Sequence, residues 1–87
     1  MFIILVYDVN EKRVNKVLKK CRKYLTWVQN SVLEGEISEA NLKILKMELD
    51  RTIDKKEDSV IIYHLRTTKY YAREILGIER GETGNIV

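Results

Sequence analysis

Eighty-seven residues leave room for one small domain and exclude a two-domain enzyme, since domains usually run to about 100–150 residues. With 45% hydrophobic and 33% charged residues, the chain has too much apolar content for a disordered tail and too much charge for a membrane protein. The formal charge is only +3, yet residues 1–33 carry seven Lys/Arg against two acids and residues 34–58 carry five against eight, so the basic charge belongs to the first third.

Phe2 to Tyr7 is short, β-branched and aromatic, and is closed by Asp8, which predicts a buried strand. That run falls far short of the roughly 20 apolar residues a membrane span requires, so neither a signal peptide nor an anchor is expected. Asn10 is a good N-cap, and Val14, Val17, Leu18, Cys21 and Leu25 then recur at helical spacing as one apolar stripe. Cys21 sits in that stripe as a small hydrophobe. Lys12, Lys16, Lys19, Lys20 and Lys23 fall on the opposite side of the helix, which therefore shows solvent an almost purely cationic face.

Thr26 to Ile37 reads TWVQNSVLEGEI. Asn30 and Ser31 are candidate turn residues and Gly35 a candidate bulge, so a hairpin or one kinked strand fits, the hairpin being preferred. Ser38 caps a second helix with the stripe Leu42, Leu45, Leu49 and Ile53. Ala40, Ile44 and Met47 form a weaker stripe on its other side, either ordinary surface content or a place where a partner protein docks through Ile44 and Met47. Val60 to Leu65, after the polar cluster Asp54 to Ser59, predicts a last strand as uniformly apolar as the first. Residues 66–87 fit neither period cleanly and could add a fifth strand at a sheet edge. The reading is one domain over residues 1–78 with a polar tail over 79–87.

The order β, α, β, β, α, β predicts an α+β, ferredoxin-like arrangement with both helices on one face of an antiparallel sheet. Strands one and four are apolar at successive positions, so the other face must be covered too. The economical cover is a symmetric homodimer in which two sheets meet face to face.

No Gly-rich phosphate loop, HExxH, CxxC or recognisable Ser/His/Asp spacing is present, and one cysteine with one histidine cannot build a disulfide or an ordinary zinc site. A reducing, cytoplasmic setting is the default. Asp8 is the exception: an acid ending an apolar strand where the chain turns into the basic helix. It is either a turn or capping carboxylate or, if strand one lies near a two-fold axis, half of a paired carboxylate site. Such a pair suits magnesium or manganese, which keep several waters and could activate one against a phosphodiester, with Asn10 as an auxiliary carbonyl oxygen. His64, alone at the end of a buried strand, is assigned no catalytic role.

Seven cations with one acid between residues 11 and 23 lack the interspersed signs of a merely soluble surface. Lys12, Arg13, Lys16, Lys19, Lys20 and Lys23 are therefore candidate contacts to a nucleic-acid backbone. Trp27 and the tyrosines could stack on bases if exposed, but their expected place is the core.

Taken together, FIILVYDVN, WVQNSVLEGEIS and DSVIIYHL resemble the CRISPR-associated Cas-two family, the small adaptation nuclease. The likeness covers residues 2–65 in the right order, and SVLEGE looks like that family's SVFEGE with Leu33 in place of its phenylalanine. The resemblance implies a ferredoxin-like homodimer whose last strand, near Arg73 to Ile78, often crosses to the partner's sheet. It also implies that Asp8 corresponds to the strand-one aspartate at which the family's divalent metal is held between subunits. Members are described as magnesium-dependent endonucleases of single-stranded RNA or double-stranded DNA, and as the dimer joining Cas-one integrase subunits during spacer capture. Three readings follow: a metal-dependent endonuclease with Asp8 as metal ligand, a non-catalytic DNA-bridging scaffold, and an RNA-cleaving toxin resembling the VapD group.

Overall fold

The computed structural model describes residues 1–66 and 74–77. The expected fifth strand, the segment Arg73 to Ile78 apart from residues 74–77, and the tail over 79–87 lie outside the described residues. Six elements follow one another: β1 (Phe2–Asp8), α1 (Glu11–Cys21), β2 (Thr26–Gln29), β3 (Val32–Glu36), α2 (Glu39–Thr52) and β4 (Ser59–Leu65). They form one four-stranded antiparallel sheet of order β2-β3-β1-β4, the ferredoxin-like arrangement expected from the element order.

Local chemistry sets the element ends. Asn10 caps α1, its side-chain oxygen accepting from the Lys12 amide at 3.1 Å, and Ser38 caps α2 by accepting from the Asn41 amide at 3.1 Å. Between β2 and β3 the chain turns through Asn30, whose φ of 43° is the left-handed conformation asparagine tolerates, so the segment is a hairpin and not one kinked strand. Trp27 Nε1 donates to the Asn30 carbonyl at 2.9 Å and pins that turn. The bulge lies in β2, between Trp27 and Gln29, and not at Gly35, which pairs regularly with Ile3.

One sheet face packs under both helices. Ile3, Leu5 and Tyr7 of β1 and Leu33 of β3 are buried against Val17 and Cys21 of α1 and Leu42, Leu45 and Leu49 of α2, with Trp27 and Leu25 closing the side. Trp27 is thus a core residue, with the Arg22 guanidinium 5.8 Å from its ring centre, and is not presented for stacking on bases. Burial pushes the Cys21 thiol up to about 12, which fits its place as an inert core group.

Strand pleat assigns the other face. Val6 pairs with Ile61, Ile4 with Tyr63 and Asp8 with Ser59, so Ile4, Val6, Asp8, Ile61 and Tyr63 share the side turned away from the helices. Ile61 and Tyr63 are 49% and 54% exposed there, a large apolar cost for the chain alone.

Candidate functional site

Asp8 is the last residue of β1 and is exposed. Its strand is held on one side by the Ser59 pairing and on the other by the Tyr7 amide, which donates to the Ser31 carbonyl at 3.1 Å. The carboxylate therefore stands on rigid backbone at one end of the sheet, on the same side as Ile61 and Tyr63. Two residues later the chain enters α1, where the Asn10 side-chain oxygen accepts from the Lys12 amide and uses one of its two lone pairs to cap the helix.

Among the described residues, no group of three or more His, Cys, Asp or Glu side chains is placed to hold a metal ion. Asp8 brings one hard-oxygen carboxylate per chain. This donor set fits magnesium or manganese only in the manner those ions prefer, with one or two carboxylates and the remaining positions taken by water, a second chain or the substrate's phosphate. His64 pairs with Ile3, while Asp8 pairs with Ser59 at the other end of β4, about 16 Å away at the usual rise per residue. It plays no part at Asp8, and its Nδ1 lies 3.3 Å from the Met1 sulfur.

The six expected nucleic-acid contacts separate in the structure. Lys12, Lys16, Lys19 and Lys23 are exposed and Lys20 is half-buried, and Lys16, Lys19, Lys20 and Lys23 line one shallow surface concavity. Lys23 also reaches Glu48 of α2 at 3.3 Å. Arg13 is turned away from them. Its Nε donates to Asp58 at 2.5 Å, its Nη2 donates to the other Asp58 oxygen at 3.1 Å, and Nη2 also donates to Glu57. The side chain is only 15% exposed, so Arg13 belongs to an internal ion pair and not to the lysine face, because a buried carboxylate opposite it needs a cation. The lysines project from the helix layer and Asp8 from the opposite side of the sheet.

Asp58 is the residue that sequence reasoning passed over. Its side chain is fully buried, and besides Arg13 it accepts from the Asn10 amide at 2.9 Å and the Asp54 amide at 2.9 Å. The Arg13 guanidinium, followed by the two backbone N–H groups, holds its carboxyl well below the usual carboxylate range although burial acts the other way. The only signal is an acid directly before an apolar strand, mirroring Asp8 at the end of one.

A carboxyl whose folded pKa lies below its unfolded value contributes stability in full above about pH 4 and loses it as pH falls through the folded value. Thermal melts from pH 7 to pH 2 are expected to show a steeper loss of Tm below about pH 4 in the wild type than in Asp58→Asn, which starts lower and is flatter. Parallel profiles would remove Asp58 as a source of acid sensitivity.

On the helix–sheet side, Ile44 and Met47 are 46% and 48% exposed on the outer surface of α2. They lie on neither the Asp8 side of the sheet nor the lysine concavity.

A family model described as CRISPR associated protein Cas2 matches residues 1–73 of the chain. The chain belongs to this family. Among the Cas2 proteins it resembles, the CRISPR-associated endoribonuclease Cas2 of Dictyoglomus turgidum is 58% identical over 87 residues and covers 100% of both chains. The protein of the same description from Thermotoga maritima is 58% identical over 86 residues, 99% of each chain. A crystal structure of Cas2 superposes with a TM-score of 0.82 at 45% identity, covering 92% of this chain and 90% of that one. The SVLEGE segment that carried the resemblance is β3 together with its preceding turn residue, and its Leu33 is wholly buried, so the Cas2 fold accepts leucine there as core.

Proposed function

We propose that this chain is a divalent-metal-dependent endonuclease of the CRISPR adaptation machinery, acting on single-stranded RNA as a two-fold dimer. The observation that carries the reading is the exposed Asp8 carboxylate at the end of a rigid apolar strand, on the sheet side that also exposes Ile61 and Tyr63. Closing that side against a second copy would bury the apolar residues and bring two Asp8 carboxylates toward the axis. Relatives at up to 58% identity described as endoribonucleases support RNA as the substrate.

Asp8 would hold magnesium or manganese, with Asp8 of the second copy as the matching ligand. When bound, such an ion supplies a water acidified toward hydroxide and neutralises charge on the phosphodiester. The chain's own contributions are fixed by the fold. The β1 backbone orients Asp8 without a mobile stem. The α1 lysines raise the local concentration of polyanion.

A second reading has its own support: the lysine concavity and Asp8 lie on opposite sides of the sheet. Duplex DNA gripped by the α1 faces of a dimer, and bridging Cas-one integrase subunits, would not need Asp8 at all. One experiment separates the two. Labelled single-stranded RNA and duplex DNA are scored for binding and cutting with magnesium, with manganese or with chelator, at several salt concentrations. The endonuclease reading expects RNA cutting that chelator abolishes. Metal-independent duplex binding without cutting of either substrate would favour the scaffold. In the same assay, reversing Lys16, Lys19 and Lys20 to Glu should weaken binding irrespective of sequence and lower the slope of log affinity against log salt by about two to three. An unchanged slope would remove the α1 face from the interface.

A further inference from the structure

We infer that Asp58 is a positioning residue for Asp8, acting through the two-residue connection between β1 and α1; the inference rests on the reading of Asp8 as a metal ligand. That connection, Val9 and Asn10, is the only covalent path from the carboxylate to the helix. A fully buried carboxylate grips it: Asp58 accepts from the Asn10 amide at 2.9 Å while taking two donations from Arg13, which sits in the first turn of α1. The Arg13 amide in turn donates to the Asn10 carbonyl at 2.8 Å. Both backbone polar groups of Asn10 are thus held, one by Asp58 directly and one by the residue that Asp58 clamps.

The other end of the same device reaches Asp8 through the sheet. Asp58 is covalently next to Ser59, and Ser59 is the register partner of Asp8. Its own turn is stiffened by the Asp54 amide, which donates to the Asp58 carboxylate at 2.9 Å, and by the Asp58 amide, which donates to the Asp54 carbonyl at 2.7 Å. Asp8 therefore sits inside a closed loop of constraints: Ser59 across the ladder, Asp58 beside it, then Asn10, and back along the chain. A site with one carboxylate per subunit needs this, because orientation is what a sparse donor set lacks, and groups behind a metal ligand commonly tune affinity about tenfold to a hundredfold. Glu57, on the exposed side of Arg13, closes the guanidinium from solvent and leaves the buried fork to Asp58.

The test compares wild type with Asp58→Asn, which keeps the volume but loses the charge and one acceptor. Two readouts are taken on folded protein: metal-free amide hydrogen exchange at Asn10, normalised to the Leu5 and Leu33 amides, and a manganese titration followed by paramagnetic broadening of the Asp8 and Val9 resonances. The expected result is exchange at Asn10 faster by at least about tenfold beyond any change in the core, with the manganese midpoint raised about tenfold to a hundredfold. A lower Tm with unchanged normalised exchange or an unchanged manganese midpoint would overturn the inference and leave Asp58 as a stability element alone. If manganese broadens nothing at Asp8 in the wild type, the metal reading itself falls, and the exchange comparison, which contains no metal, then decides the clamp alone. Should Asp58→Asn fail to fold, Asn10→Pro is compared with Asn10→Ala. Both lose the cap oxygen, but only proline lacks the N–H, and the φ of −56° at Asn10 is within proline's range. A higher manganese midpoint in the proline variant than in the alanine variant is expected, and equal midpoints would overturn the inference.

Discussion

Asp8→Ala is expected to lose metal-dependent cleavage by at least about a thousandfold while keeping nucleic-acid binding and Tm close to wild type, because several kcal/mol of metal-borne stabilisation are removed and each 1.4 kcal/mol is tenfold in rate. Asp8 is exposed and its strand pairing is made by backbone groups, so truncating the side chain opens no cavity and breaks no ladder hydrogen bond. Binding should persist because the α1 lysines lie on the other side of the sheet. Removing an acid can only make the protein slightly more attractive to a polyanion. The check is single-turnover cleavage of labelled single-stranded RNA in magnesium, beside a binding titration in chelator. Cleavage that survives in the purified variant would sink Asp8 as the metal ligand, and binding lost together with cleavage would point to a fold or dimer defect instead.

The second large effect concerns association. Ile61→Glu combined with Tyr63→Glu should weaken the proposed homodimer by at least about a thousandfold and leave a folded monomer. Both side chains are half-exposed in the single chain, so charging them costs the monomer little. In a face-to-face dimer the same carboxylates would be buried beside the apolar Ile4 and Val6 of their own sheet, at several kcal/mol per charge. Sedimentation velocity across a protein concentration series gives the answer directly. A variant that still sediments as a dimer would place the contact elsewhere. Cleavage should fall in parallel with the dimer although Asp8 is intact, which separates this variant from Asp8→Ala: both stop cutting, and only one changes mass.

Much of the fold was legible because its signals are short in range. Asn10 and Ser38 cap helices through amides two and three residues ahead, and the stripes Val17–Cys21 and Leu42–Leu45–Leu49 repeat within one or two turns, so a window of a dozen residues contains the whole cause. The apolar character of both faces of β1 was equally local. The structure agrees with it by burying Ile3 and Leu5 under the helices while Ile4 and Val6 lie on the opposite side with Ile61 and Tyr63. The bulge was misplaced at Gly35 because glycine permits an irregular backbone but does not demand one. The irregularity sits in β2, where Trp27 must turn into the core and reach the Asn30 carbonyl.

Arg13 shows where such reading stops. On the helical wheel it is one more cation beside Lys12 and Lys16, and nothing within α1 distinguishes it. Its fate is decided 45 residues away by Asp58, a carboxylate that folding strips of water and that must find a charge partner at the moment it is buried. Element order, caps, the core stripes, the lysine run and the isolated acid at the end of β1 are properties of neighbouring residues, and composition plus periodicity suffices for them. The choice of which cation stays in solvent and which becomes structural, and the clamp that ties Asp58 to the Asp8 connection, exist only once β1 and β4 lie side by side. Local spacing tells which positions are buried, but which buried carboxylate meets which cation across 45 residues is decided only when the strands pair.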